Sequence, residues 1–168
     1  MSVIMLSGPV GAGKTTVARE LVAISPAPFC SIEGDTLWSV FAKPGEKPVR
    51  ERFLLLMRSM TAAAVPLARG GYEVLLNFSF PLDFVDTARK ILKEVPLDFV
   101  MLRPSLETCE RRAVGRPEGK IADYGAYREF YAMFEGLPKH EVADDDADAG
   151  SIARRIRAGL DEGIFRLG

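Results

Sequence analysis

Eight residues near the start of the chain, Gly8-Pro9-Val10-Gly11-Ala12-Gly13-Lys14-Thr15, constrain its fold more than any others. They match the spacing G-x-x-x-x-G-K-[ST] and lie between two segments of opposite character. Before them runs Val3-Ile4-Met5-Leu6, apolar at every position, as a strand covered on both faces is. After them, from Lys14 to about Ile24, Val17, Ala18, Leu21 and Val22 fall on one helical face. Glycines let successive backbone N–H groups curl around one point, and the following helix aims its positive end at the same point. A glycine-rich turn could serve as a plain connection. Spacing and placement together argue instead for a loop that cradles phosphate.

The rest of the chain keeps alternating. Strands are expected at Phe29 to Ile32, Glu73 to Asn77, Leu97 to Leu102 and, short, at Glu141 to Ala143. Helices are expected at Thr36 to Phe41, Val49 to Arg69, Leu82 to Glu94, Ser105 to Val114, Tyr124 to Phe134 and Ser151 to Leu160. Pro66 is expected to bend the longest helix or end it early. Strand–helix alternation from end to end predicts an α/β fold, a parallel sheet with helices on both faces. At 168 residues the chain is expected to form one domain, 1–168.

Composition narrows the partners. Lys and Arg number 22 against 23 Asp and Glu, a net charge of −1, so no general affinity for nucleic acid or anionic membrane is expected. Any anion must be bound locally. The chain's one histidine and two distant cysteines, Cys30 and Cys109, supply neither a zinc spacing nor a disulfide framework. With no signal-like or membrane-length apolar run, the expected location is the cytoplasm.

Within the loop, Gly8, Gly11, Ala12, Gly13, Lys14, Thr15 and Thr16 are the candidate nucleotide-binding residues. Lys14 would reach the β- and γ-phosphates of ATP and the Thr15 hydroxyl would hold Mg²⁺. Ligands of parallel sheets gather at the carboxyl ends of the strands. Asp35, which leaves the second strand in Ser31-Ile32-Glu33-Gly34-Asp35, is therefore a candidate base for an acceptor hydroxyl and a candidate Mg²⁺ holder. Its structural alternative is to cap the short helix beginning at Thr36.

Phosphate loop, short second strand and Gly34-Asp35 together resemble the small P-loop kinases of the nucleoside-monophosphate-kinase-like group. Gluconate kinase, shikimate kinase, adenylylsulfate kinase and chloramphenicol phosphotransferase belong to that group. The resemblance implies a three-layer fold with five parallel strands and the phosphate-loop strand in the middle. It implies transfer of the γ-phosphate of ATP to a hydroxyl or phosphate of a small molecule. Asp35 matches the carboxylate that contacts the acceptor. A lid over ATP is implied at about 115–123, with Arg116-Pro117 matching the lid of shikimate kinase and Arg112 nearer the adenine. Arg111 lies in the same region. The alternative for these arginines is a solvated helix end. The sequence departs from the common pattern at Asn77, where many P-loop proteins carry a metal-holding Asp. Asn77 would then bind acceptor or metal water, or be a satisfied turn amide. A nucleotide-hydrolysing switch or assembly module and a polynucleotide-end kinase remain alternatives to the small-molecule kinase.

Weaker candidates complete the reading. Trp38, Phe41, Phe78 and Phe80 would line an apolar acceptor pocket or pack in the core. Arg50, Arg52 and Arg58 are candidates for an anionic acceptor, with Arg50 and Arg58 better placed as solvated residues. Arg103 is a phosphate-side candidate by position. Asp144, Asp145, Asp146 and Asp148 are read as a turn before the last helix rather than a metal cluster, close enough to touch adenine through the backbone. Arg154, Arg155 and Arg157 are read as solvent-facing, His140 as structural or exposed, and both cysteines as core residues. Glu33 is the substitute should Asp35 prove only a cap.

Overall fold

The computed structural model describes residues 1–115, 121 and 123–168. Five parallel strands, β1 (Val3–Ser7), β2 (Phe29–Glu33), β3 (Glu73–Asn77), β4 (Leu97–Leu102) and β5 (Glu141–Val142), form one sheet in the order β2-β3-β1-β4-β5. The phosphate-loop strand β1 is the central one, as expected. β1, β3 and β4 are buried at every position, which accounts for their unbroken apolar runs; β2, at the edge, is only half-buried.

Alternate side chains of the buried strands feed two cores. Val3, Met5, Val74, Leu76, Phe99 and Met101 face α3 (Val49–Arg69) and α4 (Val85–Leu92). Ile4, Leu6, Leu75, Val100 and Leu102 face α1 (Lys14–Ile24), α5 (Leu106–Val114) and α7 (Ala149–Asp161). The remaining helices, α2 (Gly34–Leu37) and α6 (Gly125–Ala132), stand at the carboxyl end of the sheet, where β2 exits and where the chain returns to the phosphate loop.

α3 has its expected range, and Pro66 does not end it early, since the carbonyl that Pro66 leaves unbonded belongs to the exposed Ala62 and is open to solvent. Three details differ from expectation. The helix expected over Leu82 to Glu94 is a 3-10 turn at Leu82–Phe84 followed by α4, which stops at Lys93, whose φ is 55°. The short helix after β2 begins at Gly34 and passes into a 3-10 turn at Trp38–Val40. Arg157, unlike the exposed Arg154 and Arg155, turns inward to Glu73 at the start of β3 (2.8 Å) and Asp161 (2.7 Å).

Candidate active site

The phosphate loop closes on itself as the glycine spacing requires. Gly11 has φ 85°, and a Cβ there would stand 2.1 Å from the Cys109 carbonyl oxygen, so neither conformation nor space admits a side chain. Gly13, at the N-cap of α1, offers no side chain to the helix's first N–H groups, and the first turn holds no acid. α5 and α7 differ, with Ser105 and Asp148 accepting from the N–H of Thr108 and Ser151. The donors of α1 are thus left for an anion. Lys14 Nζ donates to the carbonyls of Gly8 (2.9 Å) and Pro9 (3.0 Å), which holds the ammonium over the loop.

Two cavities of about 550 Å³ each flank the loop. The first carries the polar side chains of Thr15, Arg19, Ser31, Glu33, Asp35 and Thr36 beside Ala18 and Val22. The second is walled by Trp38, Phe53, Phe78, Tyr127 and Phe130, with Val10 of the phosphate loop and the polar groups of Asp35 and Ser79. Asp35 lines both. It lies inside the first turn of α2, whose N-cap is Glu33 without a side-chain bond, so capping does not occupy the Asp35 carboxylate. Gly34 lets the chain pass the Phe78 ring, since a Cβ there would meet Phe78 Cδ2 at 2.2 Å.

Glu33 and Asn77 sit beside Thr15. The fully buried Asn77 donates from Nδ2 to Glu33 Oε2 at 2.5 Å, and the same nitrogen lies 3.4 Å from Thr15 Oγ1. Burial raises the Glu33 carboxyl above its ordinary pKa, a shift that the Asn77 hydrogen bond opposes and the Asp35 charge reinforces. Ser79 Oγ donates to the Gly8 carbonyl (3.0 Å), and Tyr124, just before α6, donates to the Val10 carbonyl (2.6 Å). Both tie the aromatic cavity to the phosphate loop.

A third cavity of about 200 Å³ lies on the other side of the loop, between Gly13, Thr16, Val17, Arg112, Ala147 and Ala149. Arg112 donates to the Asp145 carbonyl (3.1 Å), while Arg111 turns to the Thr108 hydroxyl. The acidic turn is organised by its own backbone. Asp144 accepts from the N–H of Asp146 and Ala147, and Asp145 from Ser105 N–H; these bonds hold both carboxyls below the usual range. Among the described residues no cluster suited to a metal ion forms from His, Cys, Asp and Glu alone.

Of the predicted residues, the structure gathers Gly8, Gly11, Ala12, Gly13, Lys14, Thr15, Thr16, Asp35, Asn77 and Arg112 around the loop. Trp38 and Phe78 line the aromatic cavity, whereas Phe80 is core. Arg50 and Arg58 are exposed, and Arg52 lies against the rings of Trp38 (5.6 Å) and Phe41 (6.0 Å). Arg103 is held by Glu135 and Glu141 over the Tyr131 ring. His140 is buried, with Nδ1 3.1 Å from the Phe99 carbonyl. Cys109 is buried, its thiol pushed up to about 11 by desolvation, and Cys30 is half-buried. The lid residues Arg116 and Pro117 lie outside the described residues. Sequence reasoning did not assign Ser79, Tyr124, Tyr127 or Phe130. The aromatic spacing over 124–134 was the available signal for the last three.

A central phosphate-loop strand in a five-stranded parallel sheet, with an uncapped helix behind the loop and cavities on both sides of it, defines a P-loop kinase. The family model for the chloramphenicol phosphotransferase-like proteins matches residues 1–132, and the chain belongs to that family. No curated protein matches its sequence. Solved structures share the fold. A tunicamycin resistance protein of Deinococcus radiodurans is 16% identical, with a TM-score of 0.74 over 99% of this chain and 98% of that one. An APS kinase of Mycobacterium tuberculosis, in complex with AMPPNP and APS, is 20% identical with a TM-score of 0.71 over 95% and 97%. A gluconokinase of Sinorhizobium meliloti 1021 is 21% identical with a TM-score of 0.69 over 96% and 92%. Among the described residues no helix is long and apolar enough to cross a membrane.

Proposed function

We propose that this kinase transfers the γ-phosphate of ATP to a hydroxyl group of a small, uncharged acceptor that presents a flat apolar face. The observation that carries this reading is the position of Asp35, in the wall common to the first cavity, beside Thr15, and the aromatic cavity. A hydroxyl held between the rings would meet a carboxylate able to take its proton. Among the described residues no cation lines the aromatic cavity, and Arg52 is packed against Trp38 and Phe41. An anionic acceptor would enter that cavity without a counter-charge, at a desolvation cost. Stacking on Trp38, Phe53 and Phe78 suits a ring or a flat apolar group instead.

On this reading the loop N–H groups and Lys14 bind the phosphates, and Arg112 stands where the nucleotide leaves the loop towards the third cavity. Arg116, outside the described residues, would add fixed positive charge at the transferred group, as the resemblance to the small P-loop kinases implies. The oxygens of Thr15, Glu33 and Asp35 form a donor set suited to Mg²⁺, and Asn77 Nδ2 holds the Glu33 carboxylate beside Thr15. Mg²⁺ bound there would neutralise charge on the phosphates. The reading places one domain in the cytoplasm, where ATP is supplied and unpaired cysteines persist.

An ATP-consumption screen tests it, with neutral aromatic alcohols, neutral antibiotics, sugar acids and nucleosides as acceptors and water alone as control. The expected result is a rate that depends on a neutral, ring-bearing hydroxyl compound. ATP turnover equal to the water control with every acceptor would make the protein a hydrolysing switch. Preference for sugar acids would overturn the acceptor class.

A further inference from the structure

The polar end of β3 carries an amide that packing alone does not explain. Asn77 is wholly buried, and its Oδ1 has no hydrogen-bond partner among the described residues. A buried acceptor left unpaired is costly, and an apolar residue would fill the same space without that cost. We propose that Asn77 and Glu33 act as a unit: the neutral amide is a positioning residue that holds the Glu33 carboxylate beside Thr15, so that Glu33 supplies the site's negative charge towards a divalent cation. This rests on the kinase reading above.

Strand register makes the pair. Glu33 and Asn77 are direct partners at the last residues of neighbouring parallel strands, β2 and β3. A carboxylate only accepts, so the amide must present Nδ2 to Glu33 Oε2, and that orientation leaves Oδ1 turned away. The same Nδ2 faces Thr15 Oγ1. The amide therefore bridges an edge-strand carboxylate to the hydroxyl that follows Lys14 in the phosphate loop. Glu33 also lines the first cavity, which Thr15 and Asp35 share.

The pair also accounts for the missing charge on β3. With Glu33 in place, an aspartate substituted for Asn77 would set two carboxylates at hydrogen-bond distance in a partly buried position, where both cannot carry charge at low cost. One charge is what the geometry accommodates. Carboxylate on β2 with amide on β3, and the reverse, are two ways of placing it. The register thus predicts that the charge can be exchanged between the two strands.

The test is calorimetric affinity for a non-hydrolysable ATP analogue, measured without metal and with saturating Mg²⁺. Wild-type protein should bind more tightly with Mg²⁺. Glu33→Gln should bind the metal-free analogue at least as well as wild type and lose about tenfold of the Mg²⁺-dependent gain. The exchange variant Glu33→Gln/Asn77→Asp should recover that gain to within about threefold. A full Mg²⁺ gain in Glu33→Gln overturns the proposal, and so does a folded exchange variant that recovers none. Should Glu33→Gln fail to fold, the exchange variant carries the test, because it keeps one carboxylate and one amide. Wild-type protein that binds the analogue in neither condition would overturn the kinase reading and this proposal with it. An unchanged Mg²⁺ gain in Glu33→Gln overturns this proposal alone.

Discussion

Asp35 is the residue on which the proposed transfer turns. It lines both large cavities and does not serve as the cap of α2, so its charge is available to an acceptor. Asp35→Asn keeps the shape and removes the ability to take a proton. A lost general base costs about 10²–10⁴ in rate. The expected outcome is a fall in kcat of that order, with ATP affinity little changed, measured with the acceptor found by the screen. An unaltered kcat would assign the base elsewhere. The residue scale is also where the sequence was most legible. Lys14, Thr15 and the glycines announce themselves because their spacing along the chain is their geometry in space. Glu33 was legible only as a substitute for Asp35, since its relation to Asn77 arises from the pairing of β2 with β3 across 44 residues.

At the scale of elements, alternating apolar and polar segments were enough to locate the strands and most helices, and the longest helix was read to its terminal residues. What could not be read was which helix faces which cavity. α6 follows the expected lid, and its Tyr127 and Phe130 wall the aromatic cavity while Tyr124, just before the helix, ties its start to Val10. The turn from β2 into α2 is the opposite case, where one glycine governs a junction. Phe78 stacks on Phe53 at 4.6 Å between ring centres and passes directly over Gly34. Gly34→Ala must displace Phe78, a small-to-large change that costs about 1–3 kcal/mol. Thermal unfolding should fall accordingly. On the proposed reading the KM for acceptor should rise several-fold while the affinity for ATP holds, because Phe78 lines the aromatic cavity and neither of the other two. A rise in both constants together would place the damage in the phosphate loop instead.

Across the whole molecule, chemistry and stability occupy opposite ends of the sheet. The phosphate loop, Glu33, Asp35 and Asn77 all lie at the carboxyl ends of the strands, where parallel sheets gather ligands. At the amino ends, charged pairs fasten the last helix and the segment after it. Arg157 meets Glu73 at the first residue of β3, and Arg166 meets Asp98 near the start of β4 with two bonds of 2.7 and 3.0 Å. The backbone joins in, with Phe99 N–H donating to the Phe165 carbonyl and Leu167 N–H to that of Leu97. The two partners of the second pair are not equivalent. The Asp98 side chain is 1% exposed and the Arg166 side chain 42%. Arg166→Ala would leave a buried carboxylate without its counter-charge, and breaking a pair in this way costs about 3 kcal/mol. Asp98→Asn leaves only a cation that water can reach and keeps an acceptor for it, so about 1 kcal/mol is expected. Denaturant unfolding should therefore rank Arg166→Ala well below Asp98→Asn in stability. Assayed below their melting temperatures, both variants should keep the wild-type kcat, since neither residue stands among the lining residues of the three cavities. Equal losses from the two variants would show that the pair acts through hydrogen bonding alone. A loss of turnover in a folded variant would show that the two ends of the sheet are coupled.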